Sequence, residues 1–442
     1  MLNFVFLPIF SAIVGFLVIA SRAERARGRA VALATVLVVV CGNNPSGLWQ
    51  GAFGGAAIAL ILGHLVGDRI EPLRQRAWAA IAVWWVYLGV SAVFFAKSLP
   101  FRHSIVEVPV LILLAWTVTR MRADDFQVVW KTMAGLGVLE VVWGVRDALT
   151  RSSVWGYDAG PNLLPGMGSL PRVGGSLYHP IVYSMFLVLC LVIVWSNPLK
   201  MPQRLRLVLG VSYIAGIALS GSRSGFAAAA IAVAVHVLLT LDFTRWVRNL
   251  FALVVASIAG WMVLHKQVAE VWVKLQSSTS YTQRTSSLSG FRPLLERHGR
   301  DEWFGVGFGH QGLLYEQHLL YSANGSITVD NMLVYLLGTM GVIGVLLFLA
   351  CGLWAWLSSD RLGRTLIVAV AAYFFSFDVL TWVNCSFLLT LVVALGVVGK
   401  ALPAQAVEVA DRAGGQDTDR LTATRAKEPS RAIPLGPRWP TG

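Results

Sequence analysis

Residues 331–357 read NMLVYLLGTMGVIGVLLFLACGLWAWL, a long apolar run without a charged side chain. A helix that crosses about 30 Å of hydrocarbon at 1.5 Å per residue needs about 20 mostly apolar residues. In lipid, a continuous helix also satisfies its backbone N–H and C=O groups internally. This stretch therefore predicts a membrane-spanning helix, and the rest of the chain can be compared with it.

The composition of the whole chain agrees with that prediction. Of the 442 residues, 56% are hydrophobic and only 13% are charged, which is about half the charged share of a soluble domain. A soluble enzyme is excluded, and so is disorder over most of the length, because disordered chains are poor in apolar residues. The four cysteines are too widely spaced to favour a zinc site or a disulfide framework; they are Cys41, Cys190, Cys351 and Cys385.

Comparable runs recur along the chain and predict an all-α fold, a polytopic transmembrane helix bundle of about 12–14 spans within residues 1–399. We expect no cleavable signal peptide, because basic residues at 22–29 stop transfer directly after the first span. The candidate spans are 2–20, 28–44, 49–67, 78–96, 105–119, 126–145, 180–196, 207–220, 226–241, 249–264, 331–357, 365–379 and 386–399.

The distribution of positive charge predicts the orientation of the bundle. One alternating set of short loops contains sixteen Lys and Arg residues, whereas loops 42–48 and 380–385 of the opposite set contain none. By the positive-inside rule, the basic set is cytoplasmic. The tail 400–442 then lies in the cytoplasm, and we expect it to be disordered because it has almost no apolar periodicity.

This orientation places the short turn 221–225 outside, together with two larger connections, at 146–179 and 265–330. The second has 66 residues, and a connection of that size in a compact bundle is usually functional. Its first part, 265–276, has the apolar spacing of an amphipathic helix in the plane of the interface.

The remainder of the 265–330 connection contains three further features. A Ser/Thr-rich turn region is predicted at 277–290 and a short helix at 292–300. The glycine run at 305–309 lacks the Lys-Ser/Thr ending of a phosphate loop, so it is interpreted as a tight turn at the membrane surface.

The arginines on the predicted outer side include Arg172, Arg223, Arg284 and Arg292. Outer loops are usually poor in Lys and Arg, so arginines at span ends there call for a reason. A guanidinium group binds phosphate oxygens through two hydrogen bonds and stays charged when partly buried. Several of them around one cavity would suit a diphosphate. The alternative is that each one extends to a lipid headgroup.

Candidate proton acceptors lie on the same side. Asp330 and Asn331 stand at the mouth of the 331–357 span, where Asp330 could accept a proton from a hydroxyl group or cap the following helix. His179 lies at the outer end of the 180–196 span. Weaker alternatives for a base are His310, Glu316 and His318.

Three further acids lie in or near predicted spans. Glu140 is inside the 126–145 span, where an ionisable group usually faces a cavity or a partner. Glu107 and Asp378 are nearer to span ends, and we expect them to be more easily solvated.

Four motifs, in this order, resemble those of the O-antigen ligase and polymerase superfamily of bacterial polysaccharide assembly. The resemblance is carried by motif over roughly 165–350 and by topology alone in the flanking spans. The motifs are RVGGSLYHP at 172–180, SGSRSG at 220–225, SGFR at 289–292 with FGVGFG at 304–309, and DN at 330–331 with Gly338, Gly341 and Gly344.

The resemblance implies a membrane-embedded glycosyltransferase that needs neither a metal nor a cofactor. Such an enzyme transfers a glycan from a polyprenyl diphosphate to a glycan or lipid-glycan acceptor at the outer face of the bacterial cytoplasmic membrane. Its partners would be this donor, the acceptor and membrane lipids, with no nucleic acid. Ligases of the family have a histidine where this chain has Asp330, and that difference favours a polymerase-like enzyme or another surface-glycan transferase.

The resemblance also implies roles for individual residues. The catalytic residues would be Asp330, Arg223 and Arg172. The substrate-binding residues would be Arg292, Arg284, His179, Ser222 and Asn331. Fixed guanidinium groups in a site of low dielectric constant stabilise the departing diphosphate, and the long outer loop would cover the sugar chains as a lid.

Two other functions remain open. A transporter or lipid flippase fits the number of spans and the intramembrane Glu140, but it leaves the long loop and the one-sided arginines without a role. A catalytically inactive scaffold in a glycan-assembly complex is the third possibility.

Overall fold

The computed structural model describes residues 19, 23–42, 48–67, 75–95, 102–155, 160–162, 167–240, 279–320 and 329–399. Within these ranges the protein is helical, with turns and short connections and no β-strand. A single antiparallel bridge joins Pro161 and Pro171. The prediction of an all-α fold is therefore confirmed for this part of the chain.

The helices before residue 241 are α1 (Ala26–Cys41), α2 (Leu48–Val66), α3 (Gln75–Val90), α4 (Arg102–Val118), α5 (Ala123–Thr150), α6 (Pro180–Ser196), α7 (Gln203–Ser220) and α8 (Arg223–Thr240). Four short helices follow: α9 (Thr279–Ser289), α10 (Phe291–Leu295), α11 (Arg300–Phe304) and α12 (Gly312–Glu316). The last three are α13 (Met332–Ser358), α14 (Arg361–Ala371) and α15 (Val383–Gly399). Short 3₁₀ or π turns occur at Ala23–Arg25, Ser91–Phe95, Gly175–Leu177 and Ala372–Phe375.

Among the described residues, three helices are long and apolar enough to cross a membrane: Trp49–Val66 within α2, the whole of α5 and the whole of α13. Shorter apolar helices include α6 and α15. Several predicted features fall outside the described residues. They are span 2–20 apart from Ile19, span 249–264, the amphipathic helix at 265–276 and the tail 400–442.

The interior of the protein is built around α6 and α15, whose residues are buried on nearly every side. Helix α6 contacts α5, α7, α8 and α14, and α15 contacts α1, α3, α4, α13 and α14. An all-apolar helix surrounded by other helices has no polar face to expose. Glycines bring α14 and α15 close together, since a Cβ atom on Gly363 would clash with the Cα atom of Gly396.

The predicted span 365–379 is wrong at its end. Helix α14 stops at Ala371, a 3₁₀ turn follows to Phe375, and residues 376–382 form an irregular segment before α15. The carboxylate of Asp378 accepts hydrogen bonds from the backbone N–H (2.9 Å) and the hydroxyl group of Thr381. Such local side-chain bonds give the backbone an alternative to the helix.

The predicted turn region at 277–290 is also wrong, because α9 occupies most of it. Ser and Thr disfavour helices when their hydroxyl groups compete for backbone partners. Here the hydroxyl of Thr285 donates to the carbonyl of Tyr281 (2.9 Å), one turn earlier in the same helix. The helix predicted at 292–300 is instead two short helices, α10 and α11, separated by Gly299 at φ 71°.

Helix α13 is interrupted at Gly341, where φ is 66° and ψ is −170°. The four carbonyls before the interruption, at 337–340, accept hydrogen bonds from outside the helix. Arg297 donates to those of Leu337 (2.6 Å) and Gly338 (3.1 Å). The remaining hydrogen bonds to these carbonyls run from Val306 N to Gly338 O (3.1 Å), from Gly307 N to Thr339 O (2.8 Å) and from Tyr87 Oη to Met340 O (3.0 Å).

Candidate functional site

Arg172 lies against the end of α7. Its Nε donates to the carbonyl of Ser220 (3.2 Å), and its side chain lies close to Gly221. Asn162 donates to the two preceding carbonyls, those of Ala218 and Leu219, at 3.1 Å each. The last carbonyls of a helix have no partner within it, so Arg172 and Asn162 together cap α7.

The sequence had indicated a five-residue turn at 221–225 that contains Arg223. In the structure, Arg223 is instead the first residue of α8. The connection is shorter because Gly221 ends α7 in the left-handed region at φ 61°. The hydroxyl of Ser222 then accepts from the backbone N–H of Gly225 (3.2 Å), as an N-cap residue does. The guanidinium group of Arg223 is thereby fixed at the start of a helix, three residues after the carbonyl that Arg172 contacts.

The Nε atom of Arg223 is buried, and it has no hydrogen-bond acceptor among the described residues. Buried polar groups are nearly always paired, because desolvation without a partner costs about 1–3 kcal/mol or more. A buried guanidinium nitrogen with no acceptor is therefore a candidate contact for an anionic ligand. We call Arg172, together with residues 220–223, the arginine turn.

Two acids on α5 fix the segment that follows Arg172. Glu140, fully buried, accepts from the backbone N–H of Ser176 (3.0 Å) and from its hydroxyl group. Asp147 accepts from the backbone N–H of Gly175 (3.2 Å) and pairs with Arg146 (3.0 Å). Glu140 was expected to face a cavity or a partner, and its partner in the structure is the 172–179 segment.

His179 closes this segment and begins α6. Its Nδ1 accepts from the backbone N–H of Ile181 (3.3 Å), so His179 is the N-cap residue of the helix. Burial, with a smaller contribution from the positive charge of Arg172, lowers the pKa of His179 to about 3. The imidazole is thus neutral at physiological pH.

The irregular segment 376–382 contains both the residue that packs on His179 and the buried acid Asp378. The indole ring of Trp382 packs on the imidazole of His179. Four residues earlier, Asp378 is only 5% exposed, and burial raises its pKa to about 8, with Asp330 adding to the effect. Asp330 and Asp378 thus interact electrostatically, and we call them the carboxylate pair.

The structure separates the two interpretations of Asp330. The residue that caps α13 is Asn331, whose Oδ1 accepts from the backbone N–H groups of Leu333 (3.0 Å) and Val334 (3.1 Å). The cap interpretation of Asp330 is therefore wrong, and the half-buried Asp330 directly precedes the residue that caps the helix. The side-chain oxygen of Asn331 is engaged within the protein.

Helix α12 approaches the carboxylate pair. Burial and the charges of Asp330 and Asp378 raise the pKa of Tyr315, on α12, to about 12. Nearby, the backbone N–H of Gly309 donates to the hydroxyl group of Tyr335 on α13 (3.3 Å). The glycine segment 305–309 is indeed a turn, with positive φ at each glycine, but it packs against α13.

The remaining predicted ligands are placed differently. Arg292 is 87% exposed and forms an ion pair with Glu296 (2.7 Å), and no contact among the described residues brings it to the arginine turn. Arg284 lies on α9, and its side chain is outside the described residues. The binding roles of both arginines stay predictions.

Glu107 and Asp378 were expected to be easily solvated, and this expectation is wrong. Glu107 is 4% exposed and accepts a hydrogen bond from the hydroxyl group of Ser386. The packing of α4 against α15 buries it, and that packing could not be read from distance to a span end. Sequence reasoning also missed Trp382 and Tyr315, since aromatic residues near span ends are usually explained by the membrane interface.

The positive charge of Arg172 acts on His179, His179 packs on Trp382, and Trp382 belongs to the same irregular segment as Asp378 of the carboxylate pair. This arrangement contains fixed positive charge at one end and a titratable carboxyl group at the other, which suits transfer of a group from an anionic leaving group to a hydroxyl. The described residues contain no group of three or more His, Cys, Asp or Glu positioned to bind a metal ion. No protein-family model matches the chain, and no curated protein matches it either.

Proposed function

We propose that the protein transfers a glycan from a polyprenyl diphosphate to an acceptor hydroxyl group. The observation that carries this proposal is the buried Nε of Arg223, which has no acceptor among the described residues and stands beside the turn capped by Arg172. Two guanidinium groups near one turn can bind the oxygens of a diphosphate. The motif resemblance at 172–180, 220–225, 289–309 and 330–331 supports the same assignment.

In the proposed reaction, the acceptor oxygen forms a bond to the anomeric carbon while the bond from that carbon to the diphosphate breaks. Polyprenyl diphosphate is the leaving group, and its growing negative charge is stabilised by Arg172 and Arg223. The acceptor proton passes to the carboxylate of Asp330. Asp378, protonated below a pKa of about 8, keeps the carboxylate pair from carrying two negative charges.

The setting of the reaction is part of the proposal. The chain would be a polytopic bundle of about 12–14 spans in the bacterial cytoplasmic membrane, with the tail 400–442 in the cytoplasm. The arginine turn and the 265–330 connection would face outward, where lipid-linked glycans are assembled. The three helices long enough to cross a membrane support membrane insertion, and the basic loops support the orientation.

A test in cells uses the two arginines of the proposed site. In Arg172→Ala and Arg223→Ala strains, we expect surface polysaccharide to be lost while the protein still reaches the membrane. Because Arg172 also caps α7, the amount of folded protein must be measured in both strains. Polysaccharide of normal amount and length in the two mutants would overturn the proposal.

The second candidate function is transport of a lipid or polysaccharide. The interruption of α13 at Gly341 favours it, since discontinuous helices are common at the binding sites of transporters. The carbonyls at this interruption accept hydrogen bonds from the protein itself, which leaves fewer of them to bind a substrate. Substrate movement across proteoliposomes without any glycan product would decide for transport.

A further inference from the structure

The interruption of α13 divides it into two helical parts, and the first part, 332–340, has the candidate base at its beginning. Nine residues at 1.5 Å each make this half-helix about 13 Å long. Asn331 caps its N-terminus, directly after Asp330. Any rotation of the half-helix would therefore displace Asp330 relative to the arginine turn.

The other end of the half-helix is fixed chiefly by one side chain. The guanidinium group of Arg297 donates through Nη2 to Leu337 O, through Nη1 to Gly338 O, and through Nε to Leu294 O (3.0 Å) in its own segment. All three nitrogens of the group are thus engaged with carbonyl oxygens. The C-terminal end of a helix is partially negative, so a cation that donates to its last carbonyls is favoured by charge as well.

Backbone contacts reinforce this connection. The N–H groups of Val306 and Gly307 donate to the carbonyls of Gly338 and Thr339. A Cβ atom on Gly305 would clash with the backbone of Thr339, and one on Gly341 would clash with the backbone of Trp303. The two chain segments therefore approach backbone to backbone, and only glycine allows this at both positions.

We propose that Arg297 is a positioning residue that fixes the half-helix 332–340 and, through it, the carboxyl group of Asp330. The inference rests on the proposed function for its catalytic consequence, but not for its structural one. Each nitrogen of its guanidinium group donates to a backbone carbonyl, so Arg297 would act through the half-helix. A lysine could not reproduce the arrangement. A single ammonium group lacks the planar, forked set of N–H donors that lets the guanidinium group reach carbonyls on two chain segments at once.

The experiment compares purified wild-type protein with Arg297→Ala and Arg297→Lys in lipid nanodiscs. The control variant is Arg300→Ala, which removes a neighbouring arginine whose Nη2 donates to Phe94 O (3.1 Å) on the exposed surface. Hydrogen–deuterium exchange is measured in peptides covering 305–309 and 336–343, with α6 as an internal reference. Glycan transfer is measured as kcat and as KM for the polyprenyl-diphosphate donor.

We expect exchange in the two peptides to rise about tenfold or more in Arg297→Ala, because hydrogen bonds to a charged donor are lost, while α6 is unchanged. We expect kcat to fall about tenfold or more, with donor KM changed less than about twofold, since the base is displaced and the diphosphate site is intact. Arg297→Lys should fold and melt as the wild type does, yet keep the low kcat. Arg300→Ala should match the wild type in all three measurements.

Two results would overturn the inference. Unchanged exchange at 336–343 in a folded Arg297→Ala or Arg297→Lys variant would show that Arg297 does not fix the half-helix. Raised exchange with wild-type kcat would show that the half-helix does not position the base. If the wild-type protein forms no product, the proposed function fails, and the exchange measurement still decides the structural part.

Discussion

The indole ring of Trp382 packs on the imidazole of His179, with ring centroids 4.9 Å apart and planes inclined by 42°. Trp382 precedes α15, whereas His179 begins α6, so about two hundred residues of chain separate the two rings. This contact connects the segment that contains Arg172 to the segment that contains Asp378. The segment that carries Arg172 thereby packs against the segment that carries Asp378, which interacts electrostatically with the proposed base Asp330.

The neutral state of His179 predicts how stability depends on pH. The pKa of His179 falls from 6.5 in the unfolded chain to about 3 in the folded protein. The unfolded chain therefore binds more protons between these values, and this residue lowers stability as the pH falls below 6.5. Between pH 7 and pH 5 the loss is about 2 kcal/mol.

His179→Asn tests this prediction, because asparagine can still cap α6 but does not titrate. Thermal unfolding in detergent, measured at pH 5 and pH 7, should show a smaller loss of stability at pH 5 in the variant than in the wild type. An equal loss in the two proteins would show that His179 is not buried in its neutral form.

Arg223 provides a prediction about binding. We expect Arg223→Ala to weaken binding of a polyprenyl diphosphate by tenfold or more, and Arg223→Lys to recover little of it, because the two-pronged geometry is lost. The matched control is Arg204→Ala, which removes an exposed arginine near the other end of α7. Equilibrium binding to nanodiscs is the measurement. Equal weakening by all three substitutions would indicate general attraction of anions and no specific site.

Substitutions of the adjacent residues Asp330 and Asn331, at the start of α13, should have separate effects on catalysis and on helix capping. Asp330→Asn should abolish transfer and leave the unfolding temperature nearly unchanged, because Asp330 does not cap the helix. Asn331→Ala should lower stability by about 1 kcal/mol, the usual cost of losing an N-cap. Activity and melting curves measured on both variants check this. A destabilised but active Asp330→Asn variant would reverse the two assignments.

Alanine in place of two glycines of α13 should change the stability of the protein in opposite directions. Gly341→Ala introduces a side chain at φ 66° and against the backbone of Trp303, so we expect a loss of about 1–3 kcal/mol from strain alone. Gly352→Ala meets open space within a regular helix, and we expect a gain of about 0.4–1 kcal/mol. Unfolding measurements on both variants test the interruption directly, and a stable Gly341→Ala protein would mean that α13 is continuous.

Much of the helical architecture follows from apolar runs, because a buried helix of this kind needs little beyond length and composition. The spans predicted at 180–196 and 331–357 match α6 and α13 within a residue. Helix ends were less predictable, since they depend on single side-chain bonds such as that from Asp378 to Thr381. The interruption at Gly341 is also invisible in the sequence, because the donors to the carbonyls before it come from Arg297, from Val306 and Gly307, and from the distant Tyr87.

The candidate site was predictable in part. The motifs identified Arg172, Arg223, His179 and Asp330, and the structure places His179 against Trp382, which lies four residues after Asp378. The structure also assigns ordinary structural tasks to two of them, since Arg172 caps α7 and His179 caps α6. Sequence spacing could not reveal the cap that Arg172 provides, because its acceptor, the carbonyl of Ser220, lies 48 residues further along the chain.

The most direct test of the proposed function is product formation by the purified protein. Wild-type protein in nanodiscs is incubated with a polyprenyl-diphosphate-linked glycan and a glycan acceptor, and both the extended glycan and the released polyprenyl diphosphate are quantified. We predict equal amounts of the two products from the wild type and neither product from Arg223→Ala. Equal product formation by wild type and Arg223→Ala, or no product from folded wild-type protein, would contradict the assignment of this arginine to a glycan-transfer site.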